Sequence, residues 1–424
     1  MTAPAIVREV LPSGLRLLTE RMPHVRSVSI GVWLARGSRH ETLEQSGIAH
    51  FVEHMLFKGT ATRSAEDIAQ TIDSIGGQMD AFTSKEYTCF YAKVLDRNLE
   101  EAVDLLADIV LRPLFDPEEL ERERKVIVEE IRMVEDSPEE LVYDIFSDHF
   151  YPRHPLGRPI QGTEKTVGGF SRRRLLRYFR EVYIPANLLI VATGSLRHDH
   201  LAKHIRRAFG GMKRRRLSGG KEAPPRPRGG VVTRFKAELE QLHLLLGLPA
   251  FPENDTLRYP LFVLNALLGG TMSSRLFQKV REERGLAYSV YSAVNAFKDS
   301  GVMMVYAGTS PKQADELLDV ILQEVRSLRA SGPTPAEVDV AREHLKGSIM
   351  LSHESTSSRM SNLARQEIYH RRYHTPAQVL ERLEKVRTED VHRVAERVFR
   401  PGPIALAAVG RTKAFKAARK GVRL

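Results

Sequence analysis

The sequence predicts an α+β protein built of two repeated halves. Three features predict it. Strand-length apolar runs alternate with stretches of helical period along the 424 residues. A basic stretch rich in Pro and Gly, 213–230, interrupts that alternation near the middle of the chain. Beyond it the order of elements begins again. The expected organisation is a first half over 1–212, a linker over 213–230 and a second half over 231–424.

Composition narrows the class. Hydrophobic residues make up 42% and charged residues 28%, which suits a globular chain with a sizeable core. A single cysteine, Cys89, excludes a disulfide framework within the chain and reads as a small buried hydrophobe. No apolar run is long enough for a membrane-spanning helix. Residues 1–16 have neither a signal-peptide core nor the Arg- and Ser-rich character of a transit peptide, so a cytoplasmic location is expected. The net charge is +11, much of it from 213–216, Arg226, Arg228 and the tail 413–423. Without interleaved aromatics or zinc-finger spacing these read as solvated charges, so neither nucleic acid nor membrane is expected as a partner.

In chain order, 14–19 and 28–34 have strand character. A polar loop over 37–45 leads into Gly47-Ile48-Ala49-His50-Phe51-Val52-Glu53-His54-Met55-Leu56-Phe57. Read as a helix, Ile48, Phe51, Val52, Met55 and Leu56 form a broad apolar face, and His50, Glu53 and His54 share the opposite side. Two imidazoles one turn apart can reach one cation, and H-x-x-E-H is a known zinc-site signature in which the carboxylate takes a proton from water. Two surface histidines on an amphipathic helix would leave the same pentapeptide.

Ser64, with Asp67 three residues on, starts a helix that Gly76-Gly77 ends. Residues 78–93 form a strand or hairpin rich in aromatic and β-branched side chains, and 98–110 a helix. Asp116 and Pro117 begin the next helix, which runs to about Val134. Its apolar stripe is Leu120, Val126, Ile127, Ile131 and Val134, and Glu123 and Glu130 fall inside it. Carboxylates on a buried face are costly unless paired or metal-bound. Either both reach past the stripe to a Lys or Arg, or Glu130 completes a His/His/Glu metal site that Glu123 orients from behind. Helices over 139–148 and 172–183, a strand over 190–194 and a helix over 200–209 close the first half.

The second half repeats this plan. Residues 242–248 echo 28–34, 257–268 take the place of the His50 helix, 287–306 echo the hairpin, and 314–329 echo the 98–110 helix. Aligning Pro335 with Pro117 sets Ala341 opposite Glu123 and Ser348 opposite Glu130, and 257–268 contain neither His nor Glu. The packing pattern therefore persists without these four residues, so their presence in one copy asks for chemistry rather than packing.

With these motifs the chain resembles the pitrilysin/insulysin family of zinc metallopeptidases, and within it the short branch that includes the mitochondrial processing peptidase β subunit and its bacterial relatives. The family's inverted zinc motif matches His50, Glu53 and His54, its distal glutamate matches Glu130, and the glutamate a heptad earlier matches Glu123. The resemblance implies a mixed β-sheet with helices packed on one face in each half, one Zn²⁺ per chain, and a peptide or unfolded polypeptide as substrate inside a closed, clamshell-like chamber. It implies that Arg281 and Tyr288, seven residues apart before a strand, stabilise the oxyanion of a partner half's site, which predicts a homodimer. It also implies that Asp80, Ala81, Phe82 and Thr83 form an edge strand to which substrate adds as a further strand. The family often has Asn where this chain has Asp80. Some relatives are scaffold or processing-complex subunits with little activity. That is the alternative to a zinc endopeptidase, and the complete ligand set argues against it.

Overall fold

The structure, a computed structural model, describes residues 6–215, 223–401, 404–417 and 422–423. Ser218-Gly219-Gly220 of the expected linker lies outside them. The strands are β1 (Ile6–Val10), β2 (Arg16–Arg21), β3 (Ser27–Leu34), β4 (Gln78–Thr83), β5 (Thr88–Leu95), β6 (Leu188–Gly194), β7 (Gly230–Phe235), β8 (Leu242–Ala250), β9 (Ala287–Ala296), β10 (Gly301–Thr309) and β11 (Ala405–Gly410). The first-half helices are α1 (Ile48–Leu56), α2 (Ala65–Ser74), α3 (Leu99–Leu111), α4 (Pro117–Asp136), α5 (Pro138–Phe150), α6 (Glu164–Gly168), α7 (Arg172–Val182) and α8 (His198–Phe209). After them come α9 (Arg258–Asn265), α10 (Ala314–Ser331), α11 (Pro335–Ser352), α12 (Thr356–Tyr369), α13 (Pro376–Glu384) and α14 (Thr388–Val398).

The repeat is visible in the sheets. The first has the order β1-β2-β6-β3-β5-β4 and the second β7-β11-β8-β10-β9. In each, a parallel pair (β2 with β6, β7 with β11) is followed by antiparallel neighbours. The second sheet is the first without a counterpart of β1. Two helix starts expected from the sequence are capped: Ser64 accepts from the Asp67 N–H, and Asp116 from the N–H groups of Glu118 and Glu119.

The central strands are buried on both faces and obey the period of two. Along β6, Leu188, Ile190 and Ala192 enter the main core with α1, α3 and α8, while Leu189 and Val191 point the other way. That second face is closed by Met360, Leu363 and Ala364 of α12. The second sheet's corresponding face is closed by Leu141, Val142, Phe146 and Phe150 of α5. The contiguous halves expected from the sequence therefore differ from the compact units. One unit gathers 1–132, 158–222 and 351–373, and the other 133–157, 223–350 and 374–424. Each sheet takes its second-face helix from the other half of the sequence. A repeat in element order records connectivity, not which sheet an apolar helix covers. Glycine marks both crossings: a Cβ on Gly31 of β3 would lie 3.1 Å from Met360 Sδ, and one on Gly247 of β8 would run into the Phe146 ring.

One detail of α4 also differs. Leu120, Glu123, Ile127 and Ile131 are its buried residues, whereas Val126 is exposed. The true stripe lies slightly around the helix from the one drawn on a uniform wheel, and it carries Glu123 deeper than Val126. Among the described residues, no helix is long and apolar enough to cross a membrane.

Candidate active site

The site is built on α1. Gly47 takes the left-handed conformation, φ 93°, that turns the chain into the helix. Ile48, Phe51, Val52, Met55 and Leu56 then enter the core, which fixes the helix and sets His50 and His54 on the other side. Their rings lie 4.6 Å apart, tilted by 63°. Glu130 of α4 meets them: its Oε2 is 3.7 Å from His50 Nε2 and 3.6 Å from His54 Nε2. Glu130 Oε2 is buried and accepts no hydrogen bond among the described residues. Ligand atoms of a tetrahedral zinc, each about 2.0–2.1 Å from the ion, stand about 3.3 Å from one another. The unbonded carboxylate oxygen stands at nearly that spacing from both imidazole nitrogens, and one donor atom from each residue lies within 4.8 Å of the others, a set that fits the ion.

Glu123, one heptad before Glu130, lies behind His54. Its Oε2 is 3.0 Å from His54 Nδ1, and Lys58 Nζ is 2.8 Å from its Oε1. Burial pushes the Glu123 carboxyl upward, but the bonds from His54 and Lys58 outweigh it and hold the group below its ordinary value. Burial, helped by the neighbouring His54, lowers His50 to about 3 and keeps it neutral, the state in which an imidazole binds metal. For His54 burial acts in the same direction but is exceeded by its bond to Glu123 and by the charge on Glu130.

Glu53 is buried beside the pair. Burial raises its carboxyl to about 7, opposed by a hydrogen bond donated by the Thr83 hydroxyl. Thr83 is the last residue of β4, the edge strand of the first sheet. The structure thus brings together His50, Glu53, His54, Glu123, Glu130 and Thr83. Along β4, Asp80 and Phe82 are exposed and Ala81 is half-buried. Arg281 and Tyr288 belong to the other unit. The Arg281 guanidinium lies 4.5 Å over the Tyr288 ring, and Tyr288 is 78% exposed.

One residue of this site does not stand out in the sequence. Glu41, in the loop before α1, is buried and accepts hydrogen bonds from the Gly47 and Ala49 N–H groups at 2.9 and 2.8 Å. It satisfies the first turn of α1, where a carboxylate also meets the positive end of the helix dipole. The loop holding it is fastened to the turn after β4: Ser38 N–H donates to Ser84 O and Arg39 N–H to Lys85 O, and Arg39 pairs with Glu86 at 2.7 Å.

Residues 16–164 match the family model described as Insulinase (Peptidase family M16), and 169–345 match the one described as Peptidase M16 inactive domain. The chain is 44% identical to a Bacillus subtilis protein named uncharacterized zinc protease YmxG, over 93% of this chain and 96% of that one. It belongs to the insulinase family, peptidase family M16. A Rickettsia felis protein, also named an uncharacterized zinc protease, is 34% identical over 92% of this chain and 94% of its own. The crystal structure of a protease from Helicobacter pylori shares the fold, with a TM-score of 0.91 at 22% identity over 96% of this chain and 99% of that one.

Proposed function

We propose that this M16 member is a zinc-dependent endopeptidase that hydrolyses peptides or unfolded polypeptide segments inside a closed chamber completed by a second copy. The observation that carries the reading is the convergence of His50, His54 and Glu130 beside a buried Glu53 that is bonded to the edge strand. His50, His54 and Glu130 would hold one Zn²⁺. When bound, it supplies a Lewis acid for the substrate carbonyl and lowers the pKa of water towards about 7.

The rest falls to the chain's own residues. Substrate backbone adds to the free edge of β4 along Asp80, Ala81, Phe82 and Thr83, which gives affinity without strict sequence. Glu53 Oε takes a proton from the attacking water and returns it to the leaving amine as the C–N bond breaks. Glu123 positions His54 through Nδ1. The exposed Tyr288 phenol and the Arg281 guanidinium, contributed by the second copy, donate to the oxyanion.

A quenched fluorogenic peptide tests the reading. Cleavage should stop with a chelator, return with added zinc, and be absent from E53Q. Wild-type protein that holds zinc but cleaves no peptide would favour a scaffold subunit. Cleavage undiminished in E53Q would overturn the assignment.

A further inference from the structure

Helix α8 carries a second histidine pair at the spacing of the first. His200 and His204 are four residues apart, their rings 4.8 Å from each other and tilted by 70°. Glu100 of α3 meets them as Glu130 meets the first pair. Its Oε1 lies 3.2 Å from His200 Nε2 and 2.9 Å from His204 Nε2. Among the described residues, these two triads are the groups of His, Cys, Asp or Glu whose donor atoms converge within 4.8 Å of one another.

We propose that Glu100, His200 and His204 form a second metal site, one that takes a divalent transition-metal ion of the Zn²⁺ class. Two imidazoles with one carboxylate suit zinc, nickel or copper, whereas magnesium and calcium favour all-oxygen sets. The ligands stand on rigid ground. Leu201, Ala202 and Ile205 of α8 and Leu99, Ala102 and Val103 of α3 are buried in one core, so no segment has to be ordered to gather the three donors. A metal here clamps α3 to α8.

The surroundings set its strength. His204 is 11% exposed, but His200 and Glu100 are 59% and 50% exposed, so water fills the remaining coordination positions and the ion exchanges with solvent. Arg207 Nη2 now stands 3.3 Å from His204 Nδ1. A guanidinium can only donate, so this contact gives way once Nε2 ligates and Nδ1 carries the proton. The second site is therefore the weaker of the two.

Equilibrium dialysis of the full-length protein against Zn²⁺ tests this, with total zinc per chain as the readout. Wild type should bind a second, weaker equivalent after the first. The double variant H200A/H204A should lose the weaker equivalent and keep the tighter one, with peptide cleavage unchanged. E100Q should weaken it by roughly tenfold or more, since losing a charged ligand costs at least as much as losing a group behind one. Glu100 and His200 are exposed and His204 is largely covered, so retention of the tight zinc is what reports that each variant is folded. A wild-type curve that stops at one equivalent, or one that H200A/H204A leaves unaltered, would overturn the site. Displacement of the weaker zinc by equimolar Mg²⁺ would overturn its chemical class.

Discussion

Glu123 Oε2 stands 3.0 Å from His54 Nδ1, whereas His50 Nδ1 is buried without a hydrogen-bond partner among the described residues. One imidazole is thus held by a carboxylate and the other by packing alone. The carboxylate keeps the His54 proton on Nδ1 and leaves Nε2 facing Glu130. E123Q should therefore loosen zinc by about 10–100-fold, the usual cost of losing a group behind a ligand. Chelator competition measures this. Zinc lost as completely as in E130Q would mean that Glu123 and Glu130 exchange roles.

Ligand and base separate in a second pair of variants. After dialysis against zinc-free buffer, wild type should retain about one tightly held zinc per chain, the complement of one three-ligand site. E130Q should lose most of it. E53Q should keep it and still be inactive, because Glu53 is a base and not a ligand. Metal analysis showing unchanged zinc in E130Q would remove the third-ligand assignment.

Glu41 gives a dependence on pH. Burial raises its carboxyl from 4.5 to about 7, against the pull of the Ala49 and Gly47 N–H groups. An acid whose pKa rises on folding binds its proton more readily in the native state, so its contribution is most favourable below the unfolded value. Stability therefore falls as pH rises from about 4.5 to about 7, by an amount on the order of 3 kcal/mol from this group. E41Q cannot titrate and should flatten that part of the profile. It should also lose one of the two cap bonds, at roughly 1–2 kcal/mol. Urea unfolding across this range is the measurement, and parallel wild-type and E41Q profiles would show that Glu41 does not titrate there.

The legibility of the site in the sequence followed the range of each interaction. His50, Glu53 and His54 sit on one helix, so local periodicity alone put them together. Glu123 and Glu130 stood out because they are acidic residues at stripe positions of another helix. Glu41 did not stand out, since a carboxylate in a polar loop looks the same whether it faces water or caps a helix six residues on. The same limit applies to the bond from Thr83 to Glu53, which depends on how β4 lies against α1. In the fold, the repeat was legible from element order. The placement of α5 and α12 was not, because each has an apolar face that would suit either sheet. It took Gly31 and Gly247, set against Met360 and Phe146, to show which strand each helix crosses.

A closed chamber selects by size and folding state. Unfolded segments should enter and add to the edge of β4, while a stably folded protein should not. Native and reduced, denatured forms of one disulfide-bonded protein, incubated side by side, make the comparison. Rapid digestion of the native form would count against a chamber.

The last expectation concerns where the site is completed. The candidate active site stands on α1 and α4 in one unit, and the exposed Arg281–Tyr288 pair stands in the other. The longer members of the family to which the chain's motifs point carry four halves in one chain, with the zinc of the first facing the Arg/Tyr pair of the fourth. A chain of two halves that keeps this relation must borrow the pair from a second copy. A two-fold homodimer then has two equivalent sites, each built from both chains, and two-fold closure is the commonest symmetry of soluble oligomers. E53Q and Y288F should each be inactive alone. Mixed under conditions that allow subunit exchange, they form a heterodimer in which one site has both lesions and the other has an intact Glu53 facing an intact Tyr288. Peptide cleavage should return to a fraction of the wild-type rate, approaching a quarter of it if exchange is random and wild-type sites act independently, because about half of the dimers are mixed and each has one working site. Exchange verified by mass spectrometry without recovery of cleavage would mean that Tyr288 serves its own chain, or that it takes no part in the reaction.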